Sequence, residues 1–366
     1  MRFPRTLLMV AGVWLAAAPV LDAHEPAAQP AQPRERRSDR ERPPVRLIAT
    51  GGTIANRAGG RLTVDELVAL VPSLERHAIV ETEQFTNLPS SSLTVDQWLA
   101  LARRLNAQFA ERPDLAGIVV TSGTDTLEET AYFLNLTVKS DRPVVVVGAM
   151  RMPGDAGYDG AANLLHGVRV AASPASRGRG VVVVLNNSIH AARDVRKTHA
   201  QRLDSFDSGP HGVLGVVDAD RIVYYRRPGR RHTRQTEFDV SATARLPRVD
   251  IVMSYLGAPG DLITAARERG VEGLVIAAGG AGSTTPSQRD AIDALLEDEV
   301  VVVITTRTGA GRVPARRPRL DEPEAPFAAN RVAGEDLSPV KARVLLMLAL
   351  TKTRDGAEIQ RMFSVY

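Results

Sequence analysis

The chain contains no cysteine. That excludes disulfide bridges, thiolate nucleophiles and cysteine-based metal sites, so stability must come from burial, with oligomerisation as the remaining aid. Aromatic residues make up only 4% of the sequence, which leaves few platforms on which nucleic-acid bases could stack. Lysine is scarce against arginine. No H-E-x-x-H or comparable spacing of His and acidic residues offers a metal set. The seven histidines give no Ser/His/Asp spacing, although His190 and His199 fall in a strand-end region. "GGTIANRAGG" lacks the G-x-G-x-x-G spacing needed beneath a pyrophosphate. No internal repeat is present.

What is there is an ordinary globular composition, 44% hydrophobic and 24% charged over 366 residues with a formal charge of +4, a length that favours two domains. Arginines cluster at 33–42, 226–234 and 312–319. All three clusters contain or adjoin proline, and the first interleaves acids, so they read as solvated linkers and loops rather than a nucleic-acid surface. The N-terminus, "MRFPRTLLMVAGVWLAAAPVLDAHEP", has two arginines, then an apolar stretch from Thr6 to Val20 that is short for a membrane span, then the small residue Ala23. This is the layout of a signal peptide, and it predicts a periplasmic or secreted protein with no membrane association after its removal.

Beyond it the chain divides into a signal peptide at 1–23, a disordered linker at 24–44 rich in Ala, Pro, Gln and Arg, a domain at 45–225, an interdomain linker at 226–248, and a second domain at 249–366. Nearly continuous β-branched runs at 45–50, 117–122, 143–150, 180–187, 248–255, 273–280 and 300–305 predict strands buried on both faces. Helical spacing occurs at 63–74, 95–110, 127–138, 287–298 and 338–351. The alternation predicts an α/β fold: a larger N-terminal domain with a mostly parallel sheet flanked by helices, plus a smaller C-terminal α/β domain.

Ligands bind beyond the carboxyl ends of parallel strands, so the residues there are the candidates for chemistry. The first strand ends "ATGGTIAN" and the second "TSGTDT". The first is either a tight turn or a set of N–H donors for an oxyanion. Thr126 and Glu129 fit a capping box for the helix that follows. Thr124 and Asp125 are left at the turn itself. A threonine hydroxyl needs a base, and Lys197 in "RDVRKT" is a candidate, with a plain surface lysine as the alternative.

Taken together, "IATGGTIA", "VVTSGTDTLEETAYFL", "RPVVVVGAMR", "YDGAANL", "ARDVRKT" and "KARVLLMLALT" resemble the bacterial-type L-asparaginase family, over about Val45 to Tyr366. The resemblance implies hydrolysis of a small-molecule amide, asparagine to aspartate and ammonia, through a threonine acyl-enzyme without cofactor. It also implies a homotetramer, a dimer of dimers, with each site shared between neighbours. Residue by residue it assigns Thr53 as nucleophile and Thr124, Asp125 and Lys197 as proton-handling residues. Asp125 also falls on the α-ammonium ligand and Ser90 on the α-carboxylate ligand. The chain departs from the family pattern in three places, and a fourth family position, the neighbour's glutamate, has two candidates here. Its loop "NRAGGRL" has no tyrosine, leaving Arg57 or Arg61 as replacements. Ser91 stands where glutamine is frequent, Ala281 stands where an asparagine is expected, and the neighbour's glutamate falls on Glu322 or Glu324. These departures keep open glutamine, a D-amino acid or a peptide-linked amide as substrate. The remaining rival is a periplasmic binding protein without turnover.

Overall fold

The structure is a computed structural model that describes residues 42–315 and 328–366. The signal peptide, most of the tether, and Glu322 and Glu324 lie outside the described residues. Among the described residues no helix is long and apolar enough to cross a membrane.

The larger lobe is built on eight strands: β1 (Pro44–Gly51), β2 (Ile79–Leu88), β3 (Gly117–Thr121), β4 (Val144–Val147), β5 (Val181–Leu185), β6 (Ser188–Ala191), β7 (Gly215–Val217) and β8 (Ile222–Tyr224). They lie in the order β8-β7-β6-β5-β4-β3-β1-β2. The strands from β5 to β2 are parallel, and the β6 to β8 edge is antiparallel. Four helices accompany them: α1 (Val64–Ala69), α2 (Val95–Glu111), α3 (Leu127–Thr137) and α4 (Gly160–Ala172). The smaller lobe is a parallel sheet of β9 (Val249–Met253), β10 (Gly273–Ala278), β11 (Val301–Thr306) and β12 (Arg331–Ala333), with α5 (Asp261–Glu268), α6 (Pro286–Glu297), α7 (Pro339–Ala349) and α8 (Gly356–Val365).

The period-2 geometry of strands sorts the β-branched runs onto two faces. Ile48, Val120, Val146 and Val183 join the core formed with α2, α3 and α7, whereas Leu47, Val119, Val145 and Val182 join the one formed with α1 and α4. In the second sheet Val275, Val301 and Val303 share the α7 core, and Leu274, Ile276 and Val302 face α5 and α6. Helix α7 therefore lies between the two sheets. Its residues from Val344 to Ala349 are all buried, as expected of a helix that is apolar all round.

Several details depart from the sequence pattern. The helix expected over 63–74 stops at Ala69 and becomes a 3₁₀ turn at Pro72–Arg76, because Pro72 has no N–H to donate and pushes Val71 out of the helical region. Strand β2 has no apolar run to announce it. The run ending "LNN" is a strand plus a tight turn: Asn186 and Asn187 both have positive φ, at 48° and 63°, as a two-residue hairpin needs, and the chain folds back as β6. The arginine-rich stretch 226–248 forms no strand but is not a solvated linker. His232, Phe238, Val240 and Leu246 are buried, and Arg226 pairs with Asp194 at 3.0 Å.

Candidate active site

Because β3, β1 and β2 are adjacent and parallel, their carboxyl ends lie side by side, and that alone gathers Thr53, Thr124, Asp125 and Ser90. Hydroxyls stitch the ends together: Thr50 Oγ1 donates to the Thr121 carbonyl at 2.7 Å, and Thr86 Oγ1 to the Thr50 carbonyl at 2.8 Å. The Gly52 N–H donates to the Leu88 carbonyl at 3.0 Å.

The loops then meet backbone to backbone. Gly52 has φ +88°, and a Cβ there would stand 2.3 Å from Gly123 Cα. A Cβ on Gly123 would stand 2.6 Å from Ser90 Oγ. Only glycine permits this approach. Thr53 opens a short 3₁₀ turn, Thr53–Ala55, and is half-buried. Its hydroxyl makes no hydrogen bond among the described residues. Tyr158 Oη donates to the Ile54 carbonyl at 2.8 Å and fixes this turn. The motif "YDGAANL" thus has a local role, with Asp159 accepting the N–H groups of Met150 and Arg151.

Lys197 reaches the site by a route that the sequence does not display. After β6 the chain leaves Ala192 beside Val181, whose carbonyl accepts the Ala192 N–H and whose own N–H is held by Asn135 near the C-terminal end of α3. By Lys197 it has come to the first turn of α3, where Glu128 Oε1 accepts the Lys197 N–H at 3.2 Å. Lys197 then pairs as a two-residue strand with Phe206–Asp207. Its Nζ lies 3.0 Å from Thr124 Oγ1 and 2.7 Å from Asp125 Oδ1. Thr124 is buried, whereas the Asp125 side chain is 74% exposed. An open cleft of about 420 Å³ adjoins the group, lined by Asp125, Glu128, Lys197 and His199. Arg193 and Arg196 in the same motif bind the Asp336 carboxylate and carbonyl in the smaller lobe and so anchor the segment.

Other sequence candidates fall differently. Ser90 is buried against Gly123, but Ser91 is solvent-exposed. The capping box does not form. Thr126 makes no side-chain cap, and its hydroxyl donates to the Ser90 carbonyl at 3.4 Å. Glu129 instead lies 3.9 Å from Arg343 on α7. Arg57 pairs with Glu66 at 3.1 Å, and Arg61 donates to Asn56 Oδ1 and the Asn87 carbonyl, so both guanidiniums tie down the hairpin after Thr53. His190 is buried with Nδ1 2.9 Å from Ser208 Oγ, and burial pulls its imidazole down to about 4. It is neutral and structural.

Comparison with known proteins gives a consistent picture. Residues 44–230 match the family profile "Asparaginase, N-terminal", and residues 248–363 match "Glutaminase/Asparaginase C-terminal domain". The chain is 42% identical over 334 residues to L-asparaginase 2 of Bacillus subtilis (strain 168), covering 88% of this chain and 87% of the relative. It is 39% identical over 330 residues to the probable periplasmic L-asparaginase of Haemophilus influenzae, covering 88% and 92%. The crystal structure of a probable cytoplasmic L-asparaginase from Campylobacter jejuni superposes with a TM-score of 0.79 at 39% identity, over 88% of this chain and 99% of that one.

Proposed function

The chain belongs to the asparaginase family, amidohydrolases of linear amides, and from that premise we propose that it hydrolyses L-asparagine to L-aspartate and ammonia through a threonine acyl-enzyme. The observation that carries the reading is the contact of Lys197 Nζ with both Thr124 Oγ1 and Asp125 Oδ1 at the mouth of the β1 and β3 loops.

In this reading Thr53 Oγ1 attacks the side-chain amide carbon. As the O–C bond forms, the hydroxyl proton passes to the Thr124–Lys197 pair. The same pair returns a proton to the departing nitrogen as the C–N bond breaks, and ammonia leaves. Water then attacks the ester carbon and gives a proton to that pair, the Thr53 Oγ1–C bond breaks, the pair returns the proton to Thr53 Oγ1, and aspartate leaves. Backbone N–H groups at the glycine turns hold the oxyanion. Ser90 takes the α-carboxylate, and the exposed Asp125 carboxylate takes the α-ammonium group. No cofactor or metal enters the scheme. We read the enzyme as periplasmic or secreted on the strength of its N-terminal sequence, and as a homotetramer. The exposed Met253, Tyr255, Leu256 and Leu262 beside edge strand β9 support a subunit interface.

A second reading, preference for glutamine or another amide, is favoured by the exposed Ser91 and by the short hairpin after Thr53. Ammonia release from a panel of amides by the purified protein decides between them, with Thr53→Ala as control. We expect L-asparagine to lead and Thr53→Ala to lower the rate by at least ~100-fold, the scale of losing a nucleophile with its acid–base step. A clear lead for another amide selects the second reading. Asparagine bound but never cleaved reduces the protein to a binding protein.

A further inference from the structure

Beneath the Thr124–Lys197–Asp125 group lies a second charged pair that the scheme above does not use. Lys341, in the first turn of α7, is completely buried. Its ammonium donates to the carbonyls of Arg193, at 2.9 Å, and Val195, both in the segment that delivers Lys197. It stands 3.9 Å from Glu128 Oε2. That oxygen is buried and makes no hydrogen bond among the described residues, while the other carboxylate oxygen accepts the Lys197 backbone N–H. Glu128 sits three residues after Asp125 in the first turn of α3. One carboxylate thus joins the turn carrying Thr124 to the backbone of Lys197, and one ammonium holds the two carbonyls just before it.

We propose that Glu128 and Lys341 are positioning residues that set Lys197 Nζ at hydrogen-bond distance from Thr124, an inference that rests on the functional reading above. A charge in this place is costly. Burial pulls the Lys341 ammonium down to about 7, against the opposing pull of Glu128, and a buried methionine of the same length would fill the space without that cost. The carbonyls of residues 193 and 195 need donors, and among the described residues no helix or sheet supplies them. Between Ala191 and Arg196 the segment is a single turn, with the Asp194 and Val195 N–H groups on the Ala191 carbonyl, so its position against α3 depends on side-chain clamps. Misplacing a catalytic group by about 1 Å costs roughly 100-fold in rate, so a clamp of this kind acts on turnover and not on substrate affinity.

The test uses Glu128→Leu, which removes both contacts, Glu128→Gln, which keeps an oxygen for the Lys197 N–H, and Lys341→Met. All are measured in the full chain for thermal melting, kcat and KM with L-asparagine. We expect Glu128→Leu and Lys341→Met to lower kcat roughly 10- to 100-fold with KM within about threefold, and Glu128→Gln to retain kcat within about fivefold. A crystal structure of Glu128→Leu should show Lys197 Nζ moved out of hydrogen-bond reach of Thr124. If Lys341→Met does not fold, the Leu and Gln variants at 128 carry the test. If Glu128→Leu turns over like the wild type, or if its Lys197 keeps its place, the inference fails. If instead the wild type releases no ammonia from any amide, the functional reading fails, and the crystallographic distance still decides whether the clamp exists.

Discussion

Each hydroxyl gathered at the β1, β2 and β3 ends has its own surroundings, and those surroundings divide the work. Thr50 and Thr86 spend theirs on main-chain carbonyls of neighbouring strands. Thr126 spends its own on Ser90. Thr124 meets Lys197, and Thr53 makes no side-chain bond among the described residues. Ser90 Oγ is wedged against Gly123 at the end of β2. In the proposed reading it binds substrate without taking part in bond breaking. Ser90→Ala should therefore raise KM for L-asparagine about 10-fold or more while leaving kcat within about threefold, the pattern of a lost uniform binding contact. Steady-state kinetics check this, and an equal fall in kcat would assign Ser90 to the transition state. The residues legible in the sequence were those whose chemistry is local. "TGGT" and "TDT" end buried strands, and Lys197 stands out in an arginine-rich chain. Glu128 and Lys341 gave no such signal. One reads as a first-turn acid of α3 and the other as the polar edge of an apolar helix, and their meeting depends on a tertiary contact between residues 213 positions apart.

At the scale of elements, the site depends on glycine turns that let two loops touch. Gly52→Ala places a Cβ in a left-handed backbone region and into the Gly123 backbone. The conformational penalty alone is about 1–3 kcal/mol, and the clash adds to it. We expect this variant to melt several degrees below the wild type and to lose activity, as differential scanning calorimetry and an ammonia assay would show. A silent substitution would mean that the two loops stand further apart. The long valine-rich strands were readable because both faces are buried and periodicity is strong. Strand β2 was not, since its polar sequence, "IVETEQFTNL", is half-exposed along an edge. The Asn186–Asn187 turn is hidden in the sequence because asparagine pairs reach positive φ less visibly than glycine, and with it the fold-back that carries Lys197.

For the whole molecule, α7 between the two sheets joins the lobes, and charged groups along its rim link stability to pH. Burial raises the Glu129 carboxyl to about 7, against the pull of Arg343. Its folded pKa lies above the unfolded one. The folded state therefore binds the extra proton between about pH 4.5 and 7, and stability is lost as pH rises through that window. Glu129→Gln mimics the protonated form. It should be more stable than the wild type at pH 8 by about 1–3 kcal/mol and nearly equal at pH 4.5, measured by denaturant unfolding at both pH values. A less stable Gln variant at pH 8 would mean that the Arg343 pair outweighs burial.

The proposed chemistry turns on Lys197. Its most direct test is single-turnover ammonia release from L-asparagine by Lys197→Met, alongside calorimetric binding of the same substrate. We expect binding close to that of the wild type with release slowed by at least ~100-fold. Release at the wild-type rate by a folded Lys197→Met protein would contradict it.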